Sequence, residues 1–192
     1  MRKYIPFICI CFIACNSGPS SKKEQTVPAE TTEKTALPAG FSHSFEKVLG
    51  NYYILRDGFV AEDSEAVNKA AAELASAATA LTLDELKPLD PEDLIIPTAR
   101  TYISGIESEL KGLSGEKDME SQRKAFQMVT ANLYDLARTV RYGDEKIYLL
   151  HCPMAFNDTG ADWLSSTTEI KNPYFGSRML KCGFVKDSVS VQ

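Results

Sequence analysis

Phe41-Ser-His-Ser-Phe-Glu-Lys-Val-Leu-Gly-Asn-Tyr-Tyr-Ile-Leu-Arg-Asp-Gly-Phe59 opens the folded part of this 192-residue chain. Phe45, Val48, Leu49, Tyr52, Leu55 and Phe59 recur at steps of three and four, which places them on one face of a helix. Ser42 or Ser44 is the expected cap. The same period returns three more times. Asp63 or Ser64 starts a second helix, with Val67, Ala70, Ala71, Leu74, Ala78 and Leu81 on one side; its alanines favour helix and allow close packing. Leu83 to Asp90 reads as a short linker broken at Pro88. Asp90-Pro91 offers a capping side chain followed by Pro, the signature of a helix start. Pro97 predicts a kink or break near Ile96. Ala99, Tyr102, Ile103, Ile106, Leu110 and Leu113 carry the third helix to Gly112 and Gly115. The fourth begins near Asp118, carries Phe126, Val129, Leu133, Leu136 and Val140, and stops around Tyr142-Gly143-Asp144. The expected fold class is therefore all-α in the main. An antiparallel four-helix bundle precedes a short irregular C-terminal Cys/Met segment with room for a small hairpin.

Upstream of this domain the chain changes character. Met1-Arg2-Lys3 and the apolar run Tyr4 to Ala14 form a secretory signal, too short to span a bilayer. Phe12-Ile13-Ala14-Cys15 resembles a bacterial lipobox, which implies cleavage before Cys15 and acylation of its thiol. Residues 1–14 are thus the expected signal and 15–39 a lipidated Cys with a flexible tether, since that stretch has almost no large apolar residue to offset its ordering entropy. Residues 40–192 form the folded domain, of ordinary single-core size. The expected location is the periplasm-facing side of an envelope membrane, held by the lipid. The net charge of −5 and the lack of basic runs interleaved with aromatics give nucleic-acid binding no support.

Catalysis has little support in the residues. His43 and His151 are the only histidines, and His43 sits near a helix start. There is no Glu-x-x-His pair, no His-Glu-x-x-His and no nucleophile elbow. The acidic residues are spaced as solvated helix faces. The expectation is a binding protein, not an enzyme.

The chemistry lies between Tyr148 and Gly183. Ile147 to Leu150 reads as a strand or extended segment, followed by His151-Cys152-Pro153-Met154. In an extended chain Cys152 and Met154 share a side. Ala161 to Leu164 reads as a short turn or helical piece with Trp163 packed inward. Asn172-Pro-Tyr-Phe-Gly176 reads as a turn, after which Met179 and Cys182 share a face if helical. Each half brings one thiol and one thioether. Convergence of Cys152, Met154, Met179 and Cys182, with His151 beside them, would suit Cu(I). Exported cysteines also commonly pair, and a Cys152–Cys182 disulfide would stabilise the domain by about 3–4 kcal/mol on chain-entropy grounds. Both readings stand at this level. The first makes the protein a Cu(I) carrier for efflux or buffering, and the second a helical interaction module with a structural disulfide. A thiol-disulfide protein fits less well, because the cysteines are not spaced Cys-x-x-Cys.

His151-Cys-Pro-Met-Ala155, Trp163-Leu164, Asn172-Pro-Tyr-Phe-Gly176, Met179-Leu180 and Cys182-Gly183 resemble a bacterial family, domain of unknown function 3347. Gln122-Arg123 with Phe126 and Tyr52-Tyr53 with Leu55 extend the likeness over roughly Phe45 to Val185. The resemblance implies a stand-alone lipoprotein, or kinship with C-terminal domains of periplasmic adaptors from copper/silver efflux pumps. A heavy-metal efflux adaptor is accordingly the expected protein partner, alongside the membrane reached through the lipid. The Cys-Pro-Met element also resembles a short heavy-metal-binding motif in which His follows Met; here Ala155 takes that place.

Overall fold

The computed structural model describes residues 36–190. The expected signal, Cys15 and the tether up to residue 35 lie outside the described residues. Helix α1 spans Ala39–Ala61, α2 Ser64–Thr79, α3 Ile95–Gly115 and α4 Met119–Thr139. Strands β1 (Ile147–Cys152), β2 (Ala161–Ser165) and β3 (Phe184–Val189) follow. The protein is mainly helical, with a three-stranded antiparallel sheet of order β2-β1-β3 at its C-terminal end.

The periodic residues become the core as their spacing demands. Phe41, Phe45, Val48, Leu49, Tyr52, Leu55 and Phe59 of α1 are fully buried. Each large apolar side chain so removed from water contributes about 1.5–3 kcal/mol. Neighbouring helices pack in sequence order, α1 on α2, α2 on α3 and α3 on α4. The Phe126 ring of α4 closes against α1, 5.4 Å from Tyr52 and 4.9 Å from Phe59. Asp63 caps α2 by accepting from the Glu65 and Ala66 N–H groups, and Asp118 caps α4 by accepting from that of Ser121.

Local details depart from the sequence reading, each for a physical reason. Helix α1 starts at Ala39 with Pro38 at its cap position, so neither Ser42 nor Ser44 caps it. One of its first N–H groups, that of Phe41, is instead satisfied by the Glu85 carboxylate at 3.0 Å. His43 lies on the exposed side of this helix, 3.8 Å from Glu46. The expected linker after Leu83 is a 3₁₀ helix, Leu83–Leu89, which buries Leu83 and Leu86. Asp90 caps α3 from a distance: its carboxylate accepts from the Leu94, Ile95 and Ile96 N–H groups. The helix therefore begins four residues after Pro91. Pro97 falls in the first turn, where a missing N–H costs nothing and no kink results.

The segment around Trp163 is a strand, not a turn or helical piece. Cross-strand pairing decides this: Trp163 lies opposite Leu150, and Leu164 opposite Leu149. The sheet joins the helices through Tyr52. Its buried hydroxyl accepts the Leu164 N–H at 3.0 Å and donates to Thr130 Oγ1 at 2.7 Å, and Thr130 in turn donates to the Phe126 carbonyl. One phenol thus links α1, α4 and β2, and burial pushes its pKa well above the usual tyrosine value.

Candidate functional site

Strand β1 ends at Cys152, whose side chain is fully buried. Cys182 lies just ahead of β3, which pairs antiparallel with β1 so that Phe184 sits opposite His151. That register carries Cys182 back to the end of β1. The two Sγ atoms stand 3.6 Å apart, and both thiols are free. Burial and the neighbouring Cys152 sulfur push the Cys182 thiol up.

The loop before Cys182 is held from behind. Asn172 is fully buried and uses every polar group on its side chain and its backbone N–H. Its Nδ2 donates to the Cys182 carbonyl, its Oδ1 accepts the Tyr174 N–H, and its own N–H donates to the Leu180 carbonyl. Arg123 of α4, nearly buried, ties the same loop to the helices: Nε donates to the Pro173 carbonyl at 2.8 Å, and Nη2 lies 3.3 Å from the Glu62 carboxylate. Gly183 (φ 141°) is required here, since a Cβ would come within 2.7 Å of the His151 carbonyl oxygen and 2.8 Å of Trp163. Asn172-Pro-Tyr-Phe-Gly is therefore a positioning loop for one of the thiols.

His151 does not join the sulfurs. Adjacent residues of a strand point to opposite faces, and its Nδ1 is engaged at 2.6 Å by the Asp162 carboxylate directly across on β2. Lys186 of β3 donates to the other Asp162 oxygen at 2.8 Å. The Asp162 backbone carbonyl accepts from the Tyr174 hydroxyl. Asp162 was not legible as a partner of His151 in the sequence. Only the strand register brings them together, eleven residues apart.

The methionines sit elsewhere. The extended run ends at Cys152, and Met154 takes a helical backbone conformation that turns its side chain outward, 45% exposed. Met179 closes a short 3₁₀ helix, Gly176–Met179. Both thioethers line one cleft of about 350 Å³ together with Glu120, Arg123, Asp158 and Arg178, and neither cysteine reaches it. The expected convergence of four sulfurs thus resolves into a thiol pair, Cys152 buried and Cys182 half-buried, and a cleft with two thioethers. The wall of that cleft is strained. Phe156, Asn157 and Asp158 are consecutive left-handed residues, with φ of 52°, 58° and 64°, a conformation that costs about 1–2 kcal/mol per residue. Gly160 (φ 83°) completes the turn, where a Cβ would strike the His151 ring. Among the described residues no group of three or more His, Cys, Asp and Glu gathers as a metal cage.

A helical platform carrying a C-terminal sheet, with a pair of free thiols at the sheet's end, defines the class structurally. Residues 48–145 match the family described as Protein of unknown function (DUF3347), and the chain belongs to that family. The matched part runs from within α1 to the residues just before β1. It is shorter than the stretch over which the sequence resembles the family, and the sulfur-bearing segment lies beyond it. No curated protein and no solved structure matches the chain.

Proposed function

We propose that this is a lipid-anchored, periplasm-facing protein that binds a soft metal ion, Cu(I), between Cys152 and Cys182, in metal efflux or buffering. The supporting observation is the 3.6 Å approach of two unlinked sulfurs on segments 30 residues apart. Among the described residues no histidine or carboxylate joins the two sulfurs in a metal-holding group, and two thiolates alone suit two-coordinate Cu(I) better than Zn(II). The four helices, read as an up-down bundle, serve as the rigid support. The lipobox-like start supports the anchor, and an efflux adaptor is the partner that the family resemblance suggests. Binding, not catalysis, is the proposed role.

A second reading is favoured by the full burial of Cys152: in an oxidising compartment the pair closes as a structural disulfide, and the domain is an interaction module. Thiol counting on protein isolated with and without reductant, followed by anaerobic Cu(I) titration of the reduced form against a competing chelator, separates the two. Tight uptake of one Cu(I), lost in Cys152→Ser and Cys182→Ser, is the expected result. No uptake by fully reduced protein leaves the disulfide reading.

A further inference from the structure

We propose that Met154 and Met179 form an outer soft-metal station on their shared cleft, which captures Cu(I) from solvent and hands it to Cys152 and Cys182. This rests on the Cu(I) reading above and adds an entry route to it. The cleft places both thioethers where solvent reaches them, while Cys152 lies wholly inside. Each thioether is coupled by a short piece of chain to one of the thiols. Met154 is separated from Cys152 only by Pro153. Met179 is joined to Cys182 by a turn closed with a 3.0 Å hydrogen bond from the Cys182 N–H to the Met179 carbonyl. Tyr174 lines the cleft and stands edge-on to Phe156 at 5.4 Å and to buried Trp163 at 6.3 Å, so an aromatic wall runs from the cleft into the sheet.

The chemistry assigns different tasks to the two stations. Thioethers are neutral, so capture needs no loss of protons, whereas ligation by two thiols does. Formal charge in the cleft lining balances, Arg123 and Arg178 against Glu120 and Asp158. Selection between hard and soft cations falls to the thioether sulfurs. Arg123 is already held by Glu62 and Pro173, and Arg178 lies over the Phe175 ring. Transfer is a ligand exchange without change of oxidation state. Copper–thioether bonds break, copper–thiolate bonds form, and the two thiols release their protons to water.

Two measurements test this. In the Cys152→Ser/Cys182→Ser chain with methyl-labelled methionine, Ag(I), a soft ion inert to redox, is expected to shift the Met154 and Met179 methyl resonances. Those of Met119 and Met128 serve as internal controls and should not move. In the reduced, thiol-intact chain, Met154→Leu/Met179→Leu is expected to slow Cu(I) uptake from a chelator about tenfold, with Met128→Leu as the control for a volume-conserving swap. Silent methyls, equal shifts at Met119, Met128, Met154 and Met179, or an unaltered uptake rate in a chain that retains Cu(I) would overturn the outer station alone. Failure of the thiol-intact protein to retain Cu(I) removes the thiol reading, and the transfer step with it.

Discussion

The side-chain amide of Asn172 donates to the Cys182 carbonyl at 2.9 Å from a fully buried position. This bond, with those to Tyr174 and Leu180, sets where one of the two thiols stands. Asn172→Ala removes the acceptor of one buried N–H and the donor to one carbonyl, each worth about 1–3 kcal/mol when left unpaired. A fall in the urea midpoint with the helical circular-dichroism signal retained is expected. Closure of the thiol pair by a mild oxidant should slow at the same time. Wild-type closure kinetics in the variant would show that Asn172 does not position Cys182.

Tyr52→Phe removes the hydroxyl between Leu164 and Thr130 while keeping the ring against Phe126. The buried Leu164 N–H then has no partner, so a loss of about 1–3 kcal/mol is expected. Chemical denaturation checks it. Hydrogen exchange should rise first at β2, since that strand loses its tie to α1 and α4. A stability change within a few tenths of a kcal/mol would remove Tyr52 from this role.

Asp90 supplies the acid-sensitive cap of α3. Burial alone would raise its carboxyl, but the Ile96, Ile95 and Leu94 N–H groups together hold it below the usual carboxylate range. The folded state then binds fewer protons than the unfolded chain between the lowered value and the ordinary Asp value of about 3.9. The stabilisation is complete above that ordinary value and is lost as pH falls through the lowered one. Asp90→Asn should destabilise the protein at neutral pH and flatten its acid limb. Parallel stability–pH curves for the two proteins would contradict the linkage.

Cys15→Ala tests the anchor. The variant is expected to leave the membrane fraction and appear among soluble envelope proteins, with its precursor processing altered. Unchanged fractionation and processing would count against lipidation.

Helix positions were legible along the chain because helical order is local. A face of Val67, Ala70, Ala71 and Leu74 needs only its own spacing, and the caps Asp63 and Asp118 act within three residues. Asp90 and Pro97 show where local reading stops. Cap and proline were both recognised, yet the start of α3 depended on which N–H groups the carboxylate reached after the chain had turned.

The candidate site divides the same way. Sulfur type and number, the positioning loop as a motif and the inward Trp163 are properties of residues, and the sequence carries them. Strand β2, the pairing of His151 with Asp162 and the approach of Cys152 to Cys182 are properties of register between distant segments. A strand has no hydrogen-bonding partner of its own, so its neighbours are chosen only when the sheet closes. The separation of the methionines from the cysteines has the same origin. Alternation keeps Cys152 and Met154 on one side only while the chain stays extended. Pairing with Ala161 ends that run at Cys152, and the turn that follows swings Met154 into solvent.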